Sequence, residues 1–371
     1  MAPREAYSYL WRARRPTPLP MQAITFQAPR TLRLETRPDP VIESPTDVIL
    51  RLELGAICGS DLHVYRGHEK GLDPGTVLGH EFLGEVVEAG AEVDRWQAGA
   101  RVVSPFSTSC GACFFCDVGL TSRCSHPEGG HVYGWVEGGQ GLHGAQAEYV
   151  RVPLADASLV AVPSGLPSED VLLVGDILST AFYCAESGGV GPQTVVCVLG
   201  CGPVGLLAIQ AARALGAQEV IAVDAVPERL ALAERFGASP VSFATDDPAK
   251  VVGKRTDGRG ADVVLEVVGS AAASQLAYEL VRPGGTISAA GVHTEEHFAF
   301  SPGAVYDKNL TYRAGRAPAR HYMERMLDLL REGRLDIAPL VSHRLPLAEV
   351  VHGYDMFDKK LDGAIKMLIE P

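Results

Sequence analysis

The chain has 371 residues, more than one hydrophobic core usually serves, so we expect two domains. Hydrophobic residues make up 46% and charged residues 21%, with 40 glycines and 25 prolines, which is typical of a globular α/β protein with many tight turns and argues against disorder. The formal net charge of −12 argues against a nucleic-acid partner, which needs a cationic surface, so we expect chemistry on small molecules.

Residues 1–20 differ in composition from the rest of the chain. They carry four arginines and a single acid, Glu5, and a second methionine, Met21, follows them. We interpret this N-terminal extension as a short targeting segment, an ordered arm or the product of an upstream start codon. It lacks the apolar core of a secretory signal, so we expect a cytoplasmic protein with reduced cysteines, and organelle import is the alternative.

Residues 21–177 predict a mostly β domain of short strands joined by glycine and proline turns. The strands are predicted at Gln22–Gln27, Asp47–Glu53, Phe82–Ala89 and Glu148–Val152.

Residues 178–315 alternate between strand and helix patterns, which favours a doubly wound parallel sheet. The uncharged stretch between Glu186 and Arg213 is broken by glycines and prolines, so it predicts a buried strand and helix, not a membrane span. Strands are predicted at Thr194–Leu199, Glu219–Asp224, Asp262–Val268 and Thr286–Ala290, and helices at Val204–Leu215, Glu228–Phe236 and Ala272–Val281. The tail, residues 316–371, predicts a helix at His321–Arg331 and short strands that return to the first domain.

A G-x-G-x-x-G motif formed by Gly200, Gly202 and Gly205 directly follows the apolar strand 194–199, and Pro203 and Val204 lie within it. The first glycine permits a tight turn, the second lets backbone approach a pyrophosphate, and the third lets the helix pack against the strand. The helix N-terminus also favours anionic phosphates. Such a triplet is often only a turn, but its position between strand and helix predicts a dinucleotide site.

An acid, Asp224, ends the next predicted strand, where a carboxylate can bind ribose hydroxyls. It would repel a 2′-phosphate, so NAD is favoured over NADP. Arg229 lies shortly after it and is interpreted either as a phosphate contact or as a solvated helix charge.

Four cysteines lie close together in a predicted lobe, residues 107–127, with the spacing C-x2-C-x2-C-x7-C. Four thiolates satisfy a tetrahedral zinc ion with no open position, which is typical of a structural site. Disulfides and an iron–sulfur cluster are the alternatives. The four residues are Cys110, Cys113, Cys116 and Cys124.

A second group of metal-binding residue types precedes the lobe. It comprises Cys58-Gly59-Ser60-Asp61-Leu62-His63 and, further along, Gly79-His80-Glu81. Thiolate and imidazole both bind zinc. Such a pair is more often structural when it stands alone, but its occurrence beside a dinucleotide motif favours a catalytic metal.

These four motifs, in this order, resemble the zinc-containing medium-chain dehydrogenase/reductase family over residues 22–371. The resemblance implies a GroES-like β domain, a Rossmann domain, two zinc ions per chain and hydride transfer between NAD and an alcohol, polyol or aldehyde hydrate. The alternatives are a non-catalytic redox sensor on the same fold and a zinc-free quinone or enoyl reductase.

The resemblance also assigns roles at the second group. Cys58 and His80 match the first two ligands of the catalytic zinc, and Asp61 matches an acid that supports the histidine. Asp176 stands where alcohol dehydrogenases carry a third cysteine ligand, and a carboxylate there is similar to the formaldehyde dehydrogenase branch. Glu81 is the alternative or exchanging ligand, and Asp176 is otherwise a helix cap.

The expected reaction uses zinc as a Lewis acid on the substrate oxygen. Ser60 would accept the alcohol proton and relay it through the cofactor ribose to His63, which is otherwise a surface histidine. The expected partner is a small alcohol or aldehyde, with no membrane partner. The resemblance implies a homodimer or homotetramer formed near Leu310–Gly315.

Overall fold

The computed structural model describes residues 20–371, so residues 1–19 of the predicted N-terminal extension lie outside it. The chain divides into two compact units. The first unit contains the chain up to Asp176 and two later segments, Pro318–Arg331 and Val341–Pro371. The second unit contains Ile177–Ala317 and Glu332–Leu340. The tail expected at residues 316–371 is therefore shared between the two units.

The first unit is built on a mostly antiparallel sheet of seven strands. Its order is β16-β17-β3-β4-β5-β9, and β8 pairs with β3. Only β16 and β17 run parallel. The strands of this unit are β1 (Met21–Ala28), β2 (Thr31–Arg37), β3 (Val48–Ile57), β4 (Phe82–Ala89), β5 (Arg101–Val103), β6 (Trp135–Glu137), β7 (Gln140–Leu142), β8 (Tyr149–Val152), β9 (Val160–Ala161), β16 (Val341–Pro346) and β17 (Lys366–Glu370).

The helices of the first unit are mostly short and lie between strands. They are α1 (Asp61–Arg66), α2 (Phe114–Asp117), α3 (Ala155–Ser158), α4 (Ser168–Val174), α11 (Ala319–Arg331) and α12 (Val350–Lys359), with 3-10 turns at Thr121–Arg123, Leu347–Glu349 and Leu361–Gly363.

Helix α12 replaces part of a region for which the sequence predicts only short strands. Two β-branched residues, Val350 and Val351, and an interior Gly353 weaken the local helix signal. Tertiary packing compensates, because Tyr354 and Phe357 are buried in an apolar cluster that also contains Ile57 of β3. Gly353 is required there, since a side chain at that position would collide with a leucine of β16.

The second unit is a six-stranded, all-parallel sheet in the order β12-β11-β10-β13-β14-β15, so the predicted doubly wound fold is confirmed. Residues 195–199 are buried throughout because helices cover a parallel sheet on both faces. Its elements are α5 (Ile177–Ser187), β10 (Val195–Leu199), α6 (Pro203–Ala214), β11 (Glu219–Asp224), α7 (Pro227–Arg235), β12 (Ser239–Ser242), α8 (Pro248–Arg255), β13 (Ala261–Glu266), α9 (Ala271–Leu280), β14 (Val281–Ala289), α10 (Pro302–Asp307), β15 (Thr311–Ala314) and a 3-10 turn at Ala338–Leu340.

Among the described residues, none of the helices combines the length and apolar character that crossing a membrane requires.

Candidate metal centres and dinucleotide site

Three metal-ligating side chains of the first unit converge on one buried point. Cys58 directly follows β3, His80 precedes β4, and Asp176 lies just after α4. The Cys58 thiol donates to Asp176 Oδ2 at 3.3 Å, and His80 Nε2 lies 3.4 Å from the same oxygen. The three ligand atoms all lie within 4.8 Å of one another, and each residue is buried.

A hydrogen-bonded chain of side chains orients the His80 ring. His80 Nδ1 lies 3.2 Å from Asp61 Oδ1, while Asp61 Oδ2 accepts from the backbone N–H of Cys58 at 2.9 Å. Behind it, Gln146 Nε2 donates to Asp61 at 3.4 Å, and the Tyr354 hydroxyl donates to Gln146 Oε1 at 3.0 Å. The chain leaves His80 Nε2 directed at the point where the three ligands meet, as a ligating histidine requires.

Glu81 lies beside this point but is paired with Lys366 of β17. Both side chains are fully buried, and the Lys366 ammonium also donates to the Ile57 carbonyl at 3.2 Å. Glu81 Oε1 finds no hydrogen-bond partner among the described residues. The ligand cluster therefore contains Asp176 and not Glu81.

The electrostatics of the cluster suit a divalent cation. Burial raises the pKa of the Cys58 thiol, and the carboxylates of Asp176 and Glu81 raise it further. Burial opposes the charged form of His80, but Asp61 and Asp176 together hold its pKa well above the ordinary value. A buried thiolate and carboxylate this close repel each other, and a dication bound between them would remove that repulsion. A sulfur, nitrogen and oxygen donor set is one that zinc accepts.

Ser60 lies at the start of α1 and its hydroxyl points toward the cluster. Its Oγ is 3.2 Å from His80 Nε2 and makes no capping bond to the described part of α1. His63 lies one helical turn later, with its ring centroid 6.0 Å from that of His68. The buried Phe106 ring presents an edge-on contact to His80 with a centroid distance of 6.5 Å.

The four-cysteine lobe gathers its sulfurs as the spacing predicts. All four Sγ atoms lie within 4.8 Å of one another, and the Cys113 Sγ atom is 3.6 Å from that of Cys116 and 3.8 Å from that of Cys124. These separations are far longer than an S–S bond, and all four thiols are free. Backbone N–H groups of Ser125 and Cys116 lower the pKa of Cys113 to about 5. Burial instead raises the pKa of Cys116 to about 12 and also raises that of Cys124. The fit to a tetrahedral zinc ion therefore rests on the four convergent sulfurs, whose thiolate forms a bound cation would stabilise.

The lobe is packed so tightly that one glycine becomes necessary. A side chain at Gly129 would collide with the Cys124 sulfur. The cysteine spacing does not reveal this requirement, because the two residues approach through a loop.

In the second unit, the glycine motif forms the turn between β10 and α6. Gly200 has a φ of 88°, which disfavours other residues, and Gly202 is the N-cap of α6, with Pro203 in its first turn. A Cβ at Gly205 would overlap the Gly200 carbonyl oxygen. Val204 follows at the helix start, so the unpaired N–H groups of α6 face the turn.

Asp224 is buried at the carboxyl end of β11 and binds the neighbouring backbone. Its Oδ2 accepts from the Cys201 N–H at 2.7 Å, and its Oδ1 accepts from the Ala225 and Val226 N–H groups at 2.7 and 2.9 Å. The Arg229 guanidinium lies close to Gly202, and its buried Nε has no hydrogen-bond partner among the described residues. The turn therefore presents backbone donors, one acid and one arginine donor.

Three residues around the Cys58, His80 and Asp176 cluster were not identified from the sequence. Gln146 and Tyr354 belong to no local motif. Lys366 does carry a signal, because it is a single charged residue within the apolar run Ala364–Ile369. A fully buried lysine needs an anionic partner, which here is Glu81.

Comparison with known proteins identifies two family domains along the chain. Residues 44–164 match the alcohol dehydrogenase GroES-like domain family, and residues 203–332 match the zinc-binding dehydrogenase family. The chain is 40% identical to zinc-type alcohol dehydrogenase B of Aspergillus flavus over 91% of this chain and 79% of that protein. It is 45% identical to a medium chain reductase/dehydrogenase of Acremonium sp. over 75% of this chain and 95% of that protein.

A solved structure agrees with these relatives. The alcohol dehydrogenase TADH from Thermus sp. ATN1 superposes with a TM-score of 0.87 at 41% identity, covering 94% of this chain and 99% of that one. The chain belongs to the zinc-dependent medium-chain dehydrogenase/reductase family. It is an oxidoreductase that acts on alcohol groups, and a nicotinamide cofactor and zinc are the groups this family uses.

Proposed function

We propose that this protein is an NAD-dependent alcohol dehydrogenase with two zinc ions per chain, a catalytic one held by Cys58, His80 and Asp176 and a structural one held by the four-cysteine lobe. The observation that carries the proposal is the convergence of three buried ligand atoms within 4.8 Å, beside a serine hydroxyl. Three protein ligands leave one position for substrate, as catalytic zinc sites do.

A zinc ion in this site would supply Lewis acidity, stabilising negative charge on the substrate oxygen. Asp61 positions His80 through the 3.2 Å contact at Nδ1, and Gln146 and Tyr354 support Asp61. Lys366 neutralises Glu81, which favours Asp176 as the oxygen ligand and leaves Glu81 only as the alternative.

The Ser60 hydroxyl relays the alcohol proton, because it accepts that proton as it donates its own onward. This hydroxyl lies 3.2 Å from His80 Nε2, so it adjoins the position where substrate oxygen would bind. His63 lies three residues later on the same helical face, which suits it to pass the proton to solvent.

The dinucleotide would bind across the glycine turn of the second unit. Gly200, Gly202 and Gly205, with Pro203 and Val204, allow phosphates to approach the N–H groups at the start of α6. Asp224 supports NAD over NADP, because a buried carboxylate repels a 2′-phosphate. Arg229 offers its Nε, which has no hydrogen-bond partner within the part of the chain that the structure describes, to a cofactor phosphate.

The proposed substrate is a small alcohol or the corresponding aldehyde. Two relatives are named for such compounds: the glutathione-independent formaldehyde dehydrogenase of Pseudomonas aeruginosa, 31% identical, and the 2R,3R-butanediol dehydrogenase from Bacillus subtilis, 28% identical. NAD reduction with a panel of primary alcohols, diols, polyols and formaldehyde would identify the preferred class.

We also propose self-association through β15, as a homodimer or homotetramer. This strand lies at the end of the six-stranded sheet, and Thr311, Arg313 and Ala314 are exposed. An exposed strand edge offers unpaired N–H and C=O groups to a second copy. Light scattering on an Ala314→Pro variant tests this. The Gly315 N–H donates to the Ala289 carbonyl of β14, and successive amides of a strand point to opposite sides, so proline at position 314 removes an N–H from the free edge. Unchanged mass would contradict the proposal.

The deciding experiment for the function combines metal analysis with turnover. The purified protein is expected to contain about two zinc ions per chain and to reduce NAD with at least one alcohol. About one zinc ion per chain, with NAD bound but no turnover on any alcohol, would instead support a non-catalytic sensor.

A further inference from the structure

A histidine between two carboxylates lies in the second unit and belongs to none of the sequence motifs. His293 Nε2 lies 2.7 Å from Glu266 Oε2, and His293 Nδ1 lies 3.5 Å from Glu295 Oε2. Glu266 is fully buried, whereas the His293 side chain is 27% exposed. These three residues belong neither to the glycine motif nor to either group of possible metal ligands, so the proposed function does not account for them.

The second oxygen of each carboxylate binds backbone. Glu266 Oε1 accepts from the N–H groups of Val268 and Gly269 at 2.8 and 2.9 Å. Glu295 Oε1 accepts from the Ala271 N–H at 2.9 Å, at the start of α9. His293 therefore connects the segment that follows β14 to the turn that follows β13.

That turn contacts the glycine motif. Val268 lies so close to Gly200 that a side chain at Gly200 would collide with it, and Gly269 lies against the backbone of Val292. Val268 and Val292 are nevertheless 44% and 36% exposed. Two exposed valines at the carboxyl ends of β13 and β14 form an apolar surface next to the phosphate turn. In doubly wound folds this half of the sheet faces the second mononucleotide.

The charges around His293 favour its protonated form. The hydrogen bond and charge of Glu266, together with Glu295, raise the pKa of His293 above its ordinary value, against the effect of burial. Other ionisable groups near Glu266 are Cys184 of α5 and Tyr312 of β15. Burial raises the pKa of Cys184 to about 12 and also raises that of Tyr312, so both are neutral near pH 7. Protonated His293 is thus the cation that neutralises Glu266.

We propose that His293 is a positioning residue for the cofactor, which fixes the Val268 and Val292 surface through Glu266 and makes dinucleotide affinity depend on pH. This inference rests on the proposed dinucleotide site. Because the folded-state pKa is raised, the link is complete at pH values below the ordinary histidine pKa of 6.5 and is lost as pH rises through the raised pKa. Deprotonation leaves the Glu266 charge buried and without its cation, so the valine surface loosens.

The test is NADH binding to the zinc-loaded protein, followed by fluorescence between about pH 6 and about pH 9. The wild-type Kd is expected to rise by roughly fivefold across the His293 titration. His293→Gln keeps an N–H donor for Glu266 but does not titrate. The NADH Kd of this variant should therefore lack the pH step seen in the wild type. His297→Gln, an exposed histidine in the same segment, is the matched control and should keep the step.

Glu295→Gln provides a second variant in which His293 is intact. Its amide oxygen can still accept from Ala271, but the lost charge should move the pH step to lower pH. A merely structural role for Glu295 would leave the midpoint in place. The inference is overturned if His293→Gln retains the wild-type pH step or if Glu295→Gln does not shift it. Absence of NADH binding at every pH would overturn the proposed dinucleotide site as well. That result differs from binding that persists without the expected pH step, which overturns only the role of His293.

Discussion

The carboxylate of Asp176 accepts a hydrogen bond from the Cys58 thiol at 3.3 Å, although 118 residues of chain separate the two. Cys58 directly follows β3 of the mostly antiparallel sheet, and Asp176 lies between helices α4 and α5. Their contact, with His80 beside both, is the geometric basis for placing an oxygen ligand in the proposed catalytic metal site.

Asp176→Ala is expected to empty the catalytic zinc site while the four-cysteine lobe stays loaded. Zinc content should fall from about two ions to about one per chain, and turnover should fall by at least about 100-fold, because the cation loses a charged ligand. Asp176→Cys restores an anionic zinc ligand and should retain both ions. Metal analysis of the two variants checks this, and a fully loaded Asp176→Ala protein would contradict the ligand assignment.

Cys58→Ala or His80→Ala is expected to abolish turnover while NAD binding survives. The proposed zinc ligands lie in the first unit, whereas the glycine turn lies in the second, so the two proposed functions depend on different residues. Steady-state rates and NADH fluorescence titration measure them separately. Cys197→Ala is the matched control, because Cys197 lies in the apolar core of the second unit and should retain turnover. Normal rates in a zinc-free Cys58→Ala protein would disprove the proposed mechanism.

Gly129→Ala is expected to destabilise the four-cysteine lobe, because the added methyl group would displace the Cys124 sulfur. The melting temperature should fall by several degrees, in line with a loss of about 1–3 kcal/mol. Chelation should lower the melting temperature of the wild-type protein in the same direction. Gly253→Ala in helix α8 is the control, since open space surrounds that position and alanine favours a helix. Equal melting temperatures for the two variants would contradict the packing argument.

Asp224→Ser is expected to shift cofactor preference toward NADP. Removing the carboxylate removes repulsion of a 2′-phosphate, so the ratio of kcat/KM for NADP to that for NAD should rise by at least about tenfold, or about 1.4 kcal/mol. Because Asp224 also accepts three backbone hydrogen bonds, NAD binding should weaken as well. Arg229→Ala in the same background should reduce any gain with NADP. An unchanged ratio in Asp224→Ser would show that Asp224 does not select the cofactor.

Much of the functional chemistry could be predicted from local sequence patterns. The glycine turn, the four-cysteine spacing and the pairing of Cys58 with His80 each use residues close in sequence or types with few alternative roles. The doubly wound sheet was also predictable, because its buried strands form continuous apolar runs separated by helix patterns.

Other features were hidden because they depend on residues far apart in the chain. The family resemblance favours Asp176 over Glu81 as the third ligand, but local residue types alone do not distinguish the two carboxylates. Packing distinguishes the two carboxylates, because β17 brings Lys366 against Glu81 while Asp176 lies beside Cys58. Helix α12 was missed for a related reason, because its stability comes from burial against β3 and β16 and not from helix propensity.

The amino-acid sequence by itself therefore determined which side chains are chemically able to bind metal and phosphate, since that ability belongs to residue type and local spacing. Only the tertiary structure decided which carboxylate is already paired with a buried cation and which adjoins the thiol. The physical reason is that a buried charge must be neutralised, and the group that neutralises it reaches it only through folding of distant strands.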